Sequence, residues 1–444
     1  MKKKSSSRLS DCDVVRIDTK DGAIYEGQVM PSSDATTLVL KLKTGYNAGI
    51  HRKNIKKQTK VNDFEGNTKA CEESLDLRSR VKVAKHTTGL PTIAILHTGG
   101  TIASEVDYET GGVVARFTPE ELLAKFPGLQ DIANITSRSV MNMMSEDIRF
   151  SHYRLLAKAI QEEIKNGVDG IIIGHGTDTI ALTAAALSFM LEHVPIPVIL
   201  VGAQRSSDRG GSDARLNMLS AAYFIARGNF KGVALCMHET SNDNACVILP
   251  ATKTKKLHTS RRDAFKTVNT EPLARVHYAQ KKIDYIHPHP MGEQGKFITY
   301  DKFEEKVAIV KTYPNMFSHL IDALIAKKYK GIVLEGSGIG QAPTNIKEDL
   351  PIYNALQKFI KKGGTVVLTS NCVFGAVHPY IYKNCRRLLD IGVIFGKDML
   401  TETAFIKLAW LLGNYPKKEI TSLMDKNLRG EYNSRLPYQD ISGR

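Results

Sequence analysis

Between positions 10 and 60, runs of β-forming residues recur at short intervals: Asp13–Asp18, Ile24–Met30, Thr37–Leu42 and Ala48–Lys53, separated by Asp, Gly, Ser and Asn turn residues. Short strands at this spacing predict a small β-barrel over residues 1–60. Residues 61–89 are polar and weakly patterned, and read as a linker. From Leu90 the pattern changes. The apolar runs Thr92–Leu96, Gly170–Gly174, Val198–Val201 and Val233–Met237 alternate with helical stretches at Pro119–Lys125, Tyr153–Asn166, Thr179–His193 and Asp213–Arg227. That alternation predicts a mostly parallel sheet with right-handed crossovers over residues 90–285. A connector, 286–305, leads to a smaller α/β unit over 306–444, with strands at Val307–Lys311, Gly331–Gly336 and Thr365–Ser370 and a closing helix at Met399–Leu412. The expected fold class is α/β: a small N-terminal β-barrel followed by a pair of α/β domains with mostly parallel sheets.

Composition narrows the picture. A chain of 444 residues is too long for one core, and 42% hydrophobic with 24% charged residues describes an ordinary globular protein. No apolar run approaches the length of a membrane span. The opening Met-Lys-Lys-Lys-Ser-Ser-Ser lacks the apolar segment of a signal peptide, so a cytoplasmic location is expected. Six cysteines, at 12, 71, 236, 246, 372 and 385, show no CxxC pairing, which argues against a zinc site and a disulfide framework. The net charge of +15 fits either a polyanionic partner such as nucleic acid or a surplus spread over the surface for solubility. A small barrel is equally open to RNA binding and to docking.

Two strand ends carry chemistry. Ile171–Gly174 runs into His175-Gly176-Thr177-Asp178-Thr179, which places a hydroxyl and a carboxylate at the carboxyl end of a predicted parallel strand. Open α/β sheets bind their ligands there. Ile93–Leu96 runs into His97-Thr98-Gly99-Gly100-Thr101, whose paired glycines let backbone amides approach a substrate closely. Hydrolysis of an amide needs a nucleophile, an activating base, donors for the oxyanion and a polar clamp on the substrate. Thr101 is a candidate nucleophile with amides beside it, and Thr177 offers a second hydroxyl next to Asp178. A lysine whose charged form is disfavoured by burial is a candidate base. The segment Thr252–Asp263 supplies Lys253, Lys255 and Lys256. Each motif alone has a plainer reading, Thr-Gly-Gly-Thr as a tight turn and Thr177 or Asp178 as a helix cap; in this order they are more specific together. Gly336, Gly338 and Gly340 superficially resemble a dinucleotide fingerprint, but the third glycine is not at the required offset and Pro343 follows, so no such cofactor is expected.

Thr98-Gly-Gly-Thr101-Ile-Ala together with His175-Gly-Thr177-Asp178-Thr resembles the two signatures of the bacterial-type L-asparaginase family, and the similarity runs over roughly 90–415. Lys41–Ile50, Lys256–Phe265 and Met399–Asn414 resemble one branch, the D subunits of archaeal glutamyl-tRNA(Gln) amidotransferases; ordinary asparaginases lack the N-terminal barrel. The resemblance implies an asparaginase-like pair of domains that hydrolyses glutamine to ammonia without a cofactor of its own. It further implies a partner, the amidotransferase E subunit, that uses ATP and magnesium to activate glutamate on the misacylated tRNA. The assembly implied is a homodimer within a heterotetramer that meets tRNA(Gln) through the complex, away from any membrane. Residue by residue, Thr101 and Thr177 match the two family threonines, Asp178 the neighbouring carboxylate, and Ser145 and Glu146 the substrate-clamping pair. The family lysine falls among Lys253, Lys255 and Lys256. Lys256 is chosen because its distance to Phe265 fits the family and it heads the His258-Thr-Ser-Arg run. We take Thr101 as nucleophile and Thr177, Lys256 and Asp178 as the activating triad, the resemblance leaving open which threonine is acylated. Tyr108, the tyrosine nearest the family's lid position, is a few residues out of register and its role stays open. The competing readings are a free-standing asparaginase or glutaminase and an RNA-binding module without catalysis.

Overall fold

The computed structural model describes residues 13–30, 36–42, 47–61, 87–99, 105–106, 113–114, 123–205, 211–286 and 295–436. The first unit is a five-stranded sheet of β1 (Val14–Thr19), β2 (Ile24–Met30), β3 (Thr37–Leu42), β4 (Asn47–His51) and β5 (Ile55–Lys60). Its order is β4-β3-β2-β1-β5, antiparallel throughout. Val15, Ile17, Val29, Leu38, Leu40 and Ile50 form its own small core. Strands β4 and β5 lie at opposite edges, about 19 Å apart if the sheet were flat, yet only the short 3-10 turn Arg52–Asn54 joins them. The sheet must therefore curl strongly. Among the described residues no ladder joins β4 to β5, and the unit expected as a small barrel is described as a five-stranded antiparallel sheet. Strand β5 falls outside the sequence pattern, because beyond the half-buried Ile55 its side chains are all exposed and mostly charged or polar. Lysines on an edge strand discourage pairing with other chains. Most of the expected linker, 62–86, lies outside the described residues.

The second unit is built on β6 (Thr92–His97), β7 (Asn134–Ser139), β8 (Gly170–Gly174), β9 (Pro197–Val201) and β10 (Gly232–His238), all parallel, extended by the antiparallel β11 (Cys246–Pro250), β14 (Ala274–His277) and β15 (Lys282–Tyr285). Between β11 and β14 in sequence lies a separate hairpin, β12 (Thr254–Lys256) and β13 (Phe265–Thr267). The period-2 alternation of each central strand splits its side chains between two cores. Ala94, Leu96, Ile171, Ile173, Val198 and Leu200 face α1 (Phe150–Lys165) and α2 (Ile180–Met190). Ile93, Ile95, Ile172, Ile199 and Val201 face α3 (Ala214–Arg227). Burial on both faces is why these strands read as continuous apolar runs. The edge strand β7 leaves no such run, because only Ile135 of its six residues is buried. The expected helix at Pro119–Lys125 falls mostly outside the described residues.

The third unit is a parallel sheet in the order β16-β17-β18-β19, comprising Val307–Lys311, Gly331–Gly336, Thr365–Ser370 and Ile394–Phe395. Helices α4 (His319–Ala326), α5 (Leu350–Lys361) and α6 (Lys383–Asp390) cover one face. Helix α7 (Thr401–Asn414) covers the other and packs at the same time on α2, so Val333 and Val367 share one core with the larger sheet. Trp410 stacks on Phe189 with ring centroids 5.5 Å apart and donates its indole N–H to the Tyr300 carbonyl at 3.0 Å. Within the connector, Phe303 stacks on Phe150 at 4.7 Å. A last helix, α8 (Lys417–Met424), precedes a segment that returns to the boundary between the two α/β units. Among the described residues no helix is long and apolar enough to cross a membrane.

Candidate active site

Strands β6 and β8 are neighbours, but the chain leaves β6 toward β7 on one side and β8 toward β9 on the other. Such a reversal opens a crevice at the carboxyl ends of the strands. Both chemistry-bearing motifs emerge there. Thr98 pins the first to the second, donating from its backbone N and from Oγ1 to the Gly174 carbonyl at 3.0 and 3.1 Å. Gly99 takes φ +104°, and a Cβ on it would lie 2.4 Å from the Met143 carbonyl oxygen, so only glycine fits. Met143 in turn donates its N–H to the Thr98 carbonyl at 3.1 Å. That contact brings up the 3-10 turn Ser145–Asp147, in which Ser145 is buried and Glu146 exposed. Thr179 Oγ1 donates to the Ser145 carbonyl at 2.6 Å, which ties the turn to the start of α2. The helix-cap reading of Thr177 and Asp178 therefore gives way: the capping position is Thr179, and its hydroxyl is committed to Ser145.

Lys256 enters from the hairpin. Within β12 successive side chains point to opposite faces, so Lys255 projects away from the crevice and Lys256 into it, while Lys253 sits in the bend just before the strand. Lys256 Nζ donates to Thr177 Oγ1 at 2.9 Å and to Asp178 Oδ1 at 2.7 Å. Lys253 Nζ meets Asp398 Oδ2, and Lys255 Nζ meets Glu402 Oε1, each at 2.5 Å. Burial holds Lys253 below the usual lysine range, with Asp398 acting in the opposite sense. The structure thus brings Thr177, Asp178 and Lys256 together and sets Ser145 beside Gly176. Thr101 and Tyr108 lie outside the described residues.

Three family models match the chain. "GatD N-terminal domain" covers residues 9–60, "Asparaginase, N-terminal" residues 92–290, and "Glutaminase/Asparaginase C-terminal domain" residues 306–424. The D subunit of the glutamyl-tRNA(Gln) amidotransferase of Methanococcus maripaludis is 42% identical over 427 residues, covering 96% of this chain and 98% of the relative. The chain belongs to the family of glutamyl-tRNA(Gln) amidotransferase D subunits. A second family member, from Thermococcus kodakarensis, is 41% identical over 94% of this chain and 93% of its own. Among solved structures, a thermostable L-asparaginase from Thermococcus kodakarensis superposes with a TM-score of 0.70 at 30% identity, covering 78% of this chain and 100% of its own.

The fold contributes residues that the family motifs did not single out. His175 is fully buried, and burial pushes its imidazole down to about 4. Its Nδ1 donates to the Gly176 carbonyl at 2.7 Å, and its Nε2 accepts from Thr183 Oγ1 at 2.8 Å. Those two bonds fix one neutral tautomer and hold the peptide that precedes Thr177. On the other side, Asp213 accepts from the backbone N–H groups of Gln204 and Arg205 at 3.0 Å, anchoring the loop after β9 whose Gly202 packs against Thr177. A signal for His175 was present, since a histidine at the end of an all-apolar strand must find partners within the core. No local signal marks Asp213.

Proposed function

We propose that this chain is the glutaminase component of a glutamyl-tRNA(Gln) amidotransferase. It takes glutamine, cleaves the side-chain amide and releases ammonia. A partner, the amidotransferase E subunit, uses ATP and magnesium to activate the glutamate of Glu-tRNA(Gln) and joins the ammonia to it. The working assembly is a homodimer of this chain within a heterotetramer, with tRNA(Gln) engaged through the complex. The observation that carries the reading is the contact of Lys256 Nζ with both Thr177 Oγ1 and Asp178 Oδ1 at the mouth of the crevice.

In this scheme a threonine hydroxyl, Thr101 in our assignment, attacks the amide carbon, its proton passes to the departing nitrogen, and an ester intermediate forms as ammonia leaves. Water then cleaves the ester to glutamate and frees the threonine. Lys256 moves the hydroxyl protons through Thr177, Asp178 orients the lysine, and Ser145 with Glu146 clamps the α-amino and α-carboxylate end of glutamine. A free-standing asparaginase is the lesser reading, because residues 9–60 match a domain particular to the amidotransferase branch. The test is Thr177→Val, which keeps shape and removes the hydroxyl. Ammonia release should fall by several orders of magnitude while the circular dichroism and melting temperature stay near those of the wild type. Wild-type turnover in the folded variant would remove the triad from the mechanism, and failure to co-purify with the E subunit would favour the free-standing enzyme.

A further inference from the structure

The hairpin that delivers Lys256 belongs by sequence to the larger α/β unit, to which Arg262 at its tip and Lys266 bind it, but its entry and exit are held by the smaller one. Its entry is fixed at Thr252, whose carbonyl accepts from Thr403 Oγ1 at 2.8 Å and whose Oγ1 donates to the Arg429 carbonyl at 3.0 Å. Its exit is fixed at Asn269, which exchanges two bonds of 3.0 Å with the backbone of Gly375 and accepts from Asn433 Nδ2 on its own carbonyl at 2.6 Å. Between these lies Lys253, whose carbonyl accepts from the N–H of Val268, the residue just past β13, at 2.9 Å. Its ammonium is paired with Asp398, and both side chains are almost fully buried, 3% and 1% exposed. Asp398 is satisfied on both oxygens, since Asn433 donates its backbone N–H to Oδ1 at 2.8 Å and its side-chain amide to Oδ2 at 2.9 Å.

A buried ion pair is a weak source of net stability, because the cost of removing two charges from water offsets most of their attraction. What it does supply is register: a charge that cannot be left unpaired in the core admits one placement of the segment that bears it. Lys253 lies in the bend that opens β12, and Lys256 ends that strand three residues further on. A slip that moved Lys253 off Asp398 would therefore move Lys256 off Thr177.

We propose that Asp398, through its buried pair with Lys253, is a positioning residue for Lys256, so that the smaller domain sets the catalytic geometry of the larger. This inference rests on the assignment of Lys256 made above. The test measures kcat, KM and melting temperature for glutamine hydrolysis by the complex with the E subunit, carrying Asp398→Asn, Lys253→Met, both together, or Lys256→Ala. Each single substitution in the pair leaves one buried charge without its partner and should lower the melting temperature and kcat together. The double substitution removes both charges, so the melting temperature should recover, as it commonly does when a buried pair is replaced as a unit. Its kcat should stay about tenfold or more below wild type with KM within about twofold, because misplacement by about 1 Å is enough to cost that much. A double variant whose kcat returns along with its melting temperature would show the pair to be structural only and overturn the proposal. The double variant gives this answer even if the single ones do not fold. Wild-type turnover in Lys256→Ala would instead overturn the assignment of Lys256 itself, a separate failure.

Discussion

Gly202→Ala adds one methyl group behind Thr177 and nothing else. The backbone at Gly202 is not in the left-handed region, so alanine is conformationally acceptable and the effect is steric. The added Cβ would lie 2.8 Å from Thr177 Cγ2 and 3.2 Å from the His175 carbonyl oxygen. Carbon atoms in contact prefer about 3.5–4.0 Å, so Thr177 must give way by roughly 1 Å. His175 cannot share the movement, because both its ring nitrogens are hydrogen-bonded and it is fully buried. A shift of that size disturbs the 2.9 Å contact between Thr177 Oγ1 and Lys256 Nζ, since a hydrogen bond of that length tolerates only a few tenths of an ångström. Overpacking of this kind costs about 1–3 kcal/mol, a melting shift of a few degrees, whereas the displaced hydroxyl should lower kcat about 100-fold. Gly176→Ala makes the contrast, since its Cβ would lie 2.7 Å from Ser145 Cβ and 2.9 Å from Ser145 Oγ. That methyl presses on the substrate clamp and should raise KM more than it lowers kcat. Steady-state ammonia release across a glutamine series, with thermal melts of the same samples, separates the two. Wild-type kcat in a folded Gly202→Ala chain, or the same kcat and KM changes from both substitutions, would refute the geometry.

Lys256→Arg should be nearly as damaging to glutamine hydrolysis as Lys256→Ala, because a guanidinium cannot give up its proton in a protein; substantial turnover in the arginine variant would exclude Lys256 as a base. His97 and His175 are both pushed down to about 4 by burial from an ordinary value of 6.5. The unfolded chain therefore takes up protons first on acidification, and stability is complete above pH 6.5 and lost toward pH 4, by up to roughly 3 kcal/mol per histidine. Denaturant melts between pH 6.5 and 5, above most carboxylate titration, should show the decline, and a flat profile would contradict it. A chain beginning at Leu90 should keep the site but lose tRNA-dependent transamidation in the presence of the E subunit, and tRNA binding by the full complex should weaken steeply with salt. Full transamidation by the shortened chain with unchanged salt dependence would make the N-terminal sheet a passive appendage.

The sequence by itself determined the order of the three units, the parallel strands and the two motifs at their ends, because burial on both faces leaves long apolar runs and a strand-to-helix turn needs glycine and small polar residues. The choice of Lys256 came from the family resemblance, through its distance to Phe265, the residue it pairs with in the hairpin. Only the tertiary structure decided the rest. Strand β5 and the edge strand β7 carry little apolar alternation, because the partner that makes them strands is a neighbouring backbone and not a core. The bond from His175 to Gly176 follows from the depth at which β8 is buried, and depth is set by the helices packed over it. Lys253 and Asp398 stand 145 residues apart in the chain. Nothing local distinguishes Lys253 from Lys255 or Lys256; the alternation of a three-residue strand separates Lys255 from Lys256, the carboxylates of another domain take up Lys253 and Lys255, and both exist only once the chain has folded.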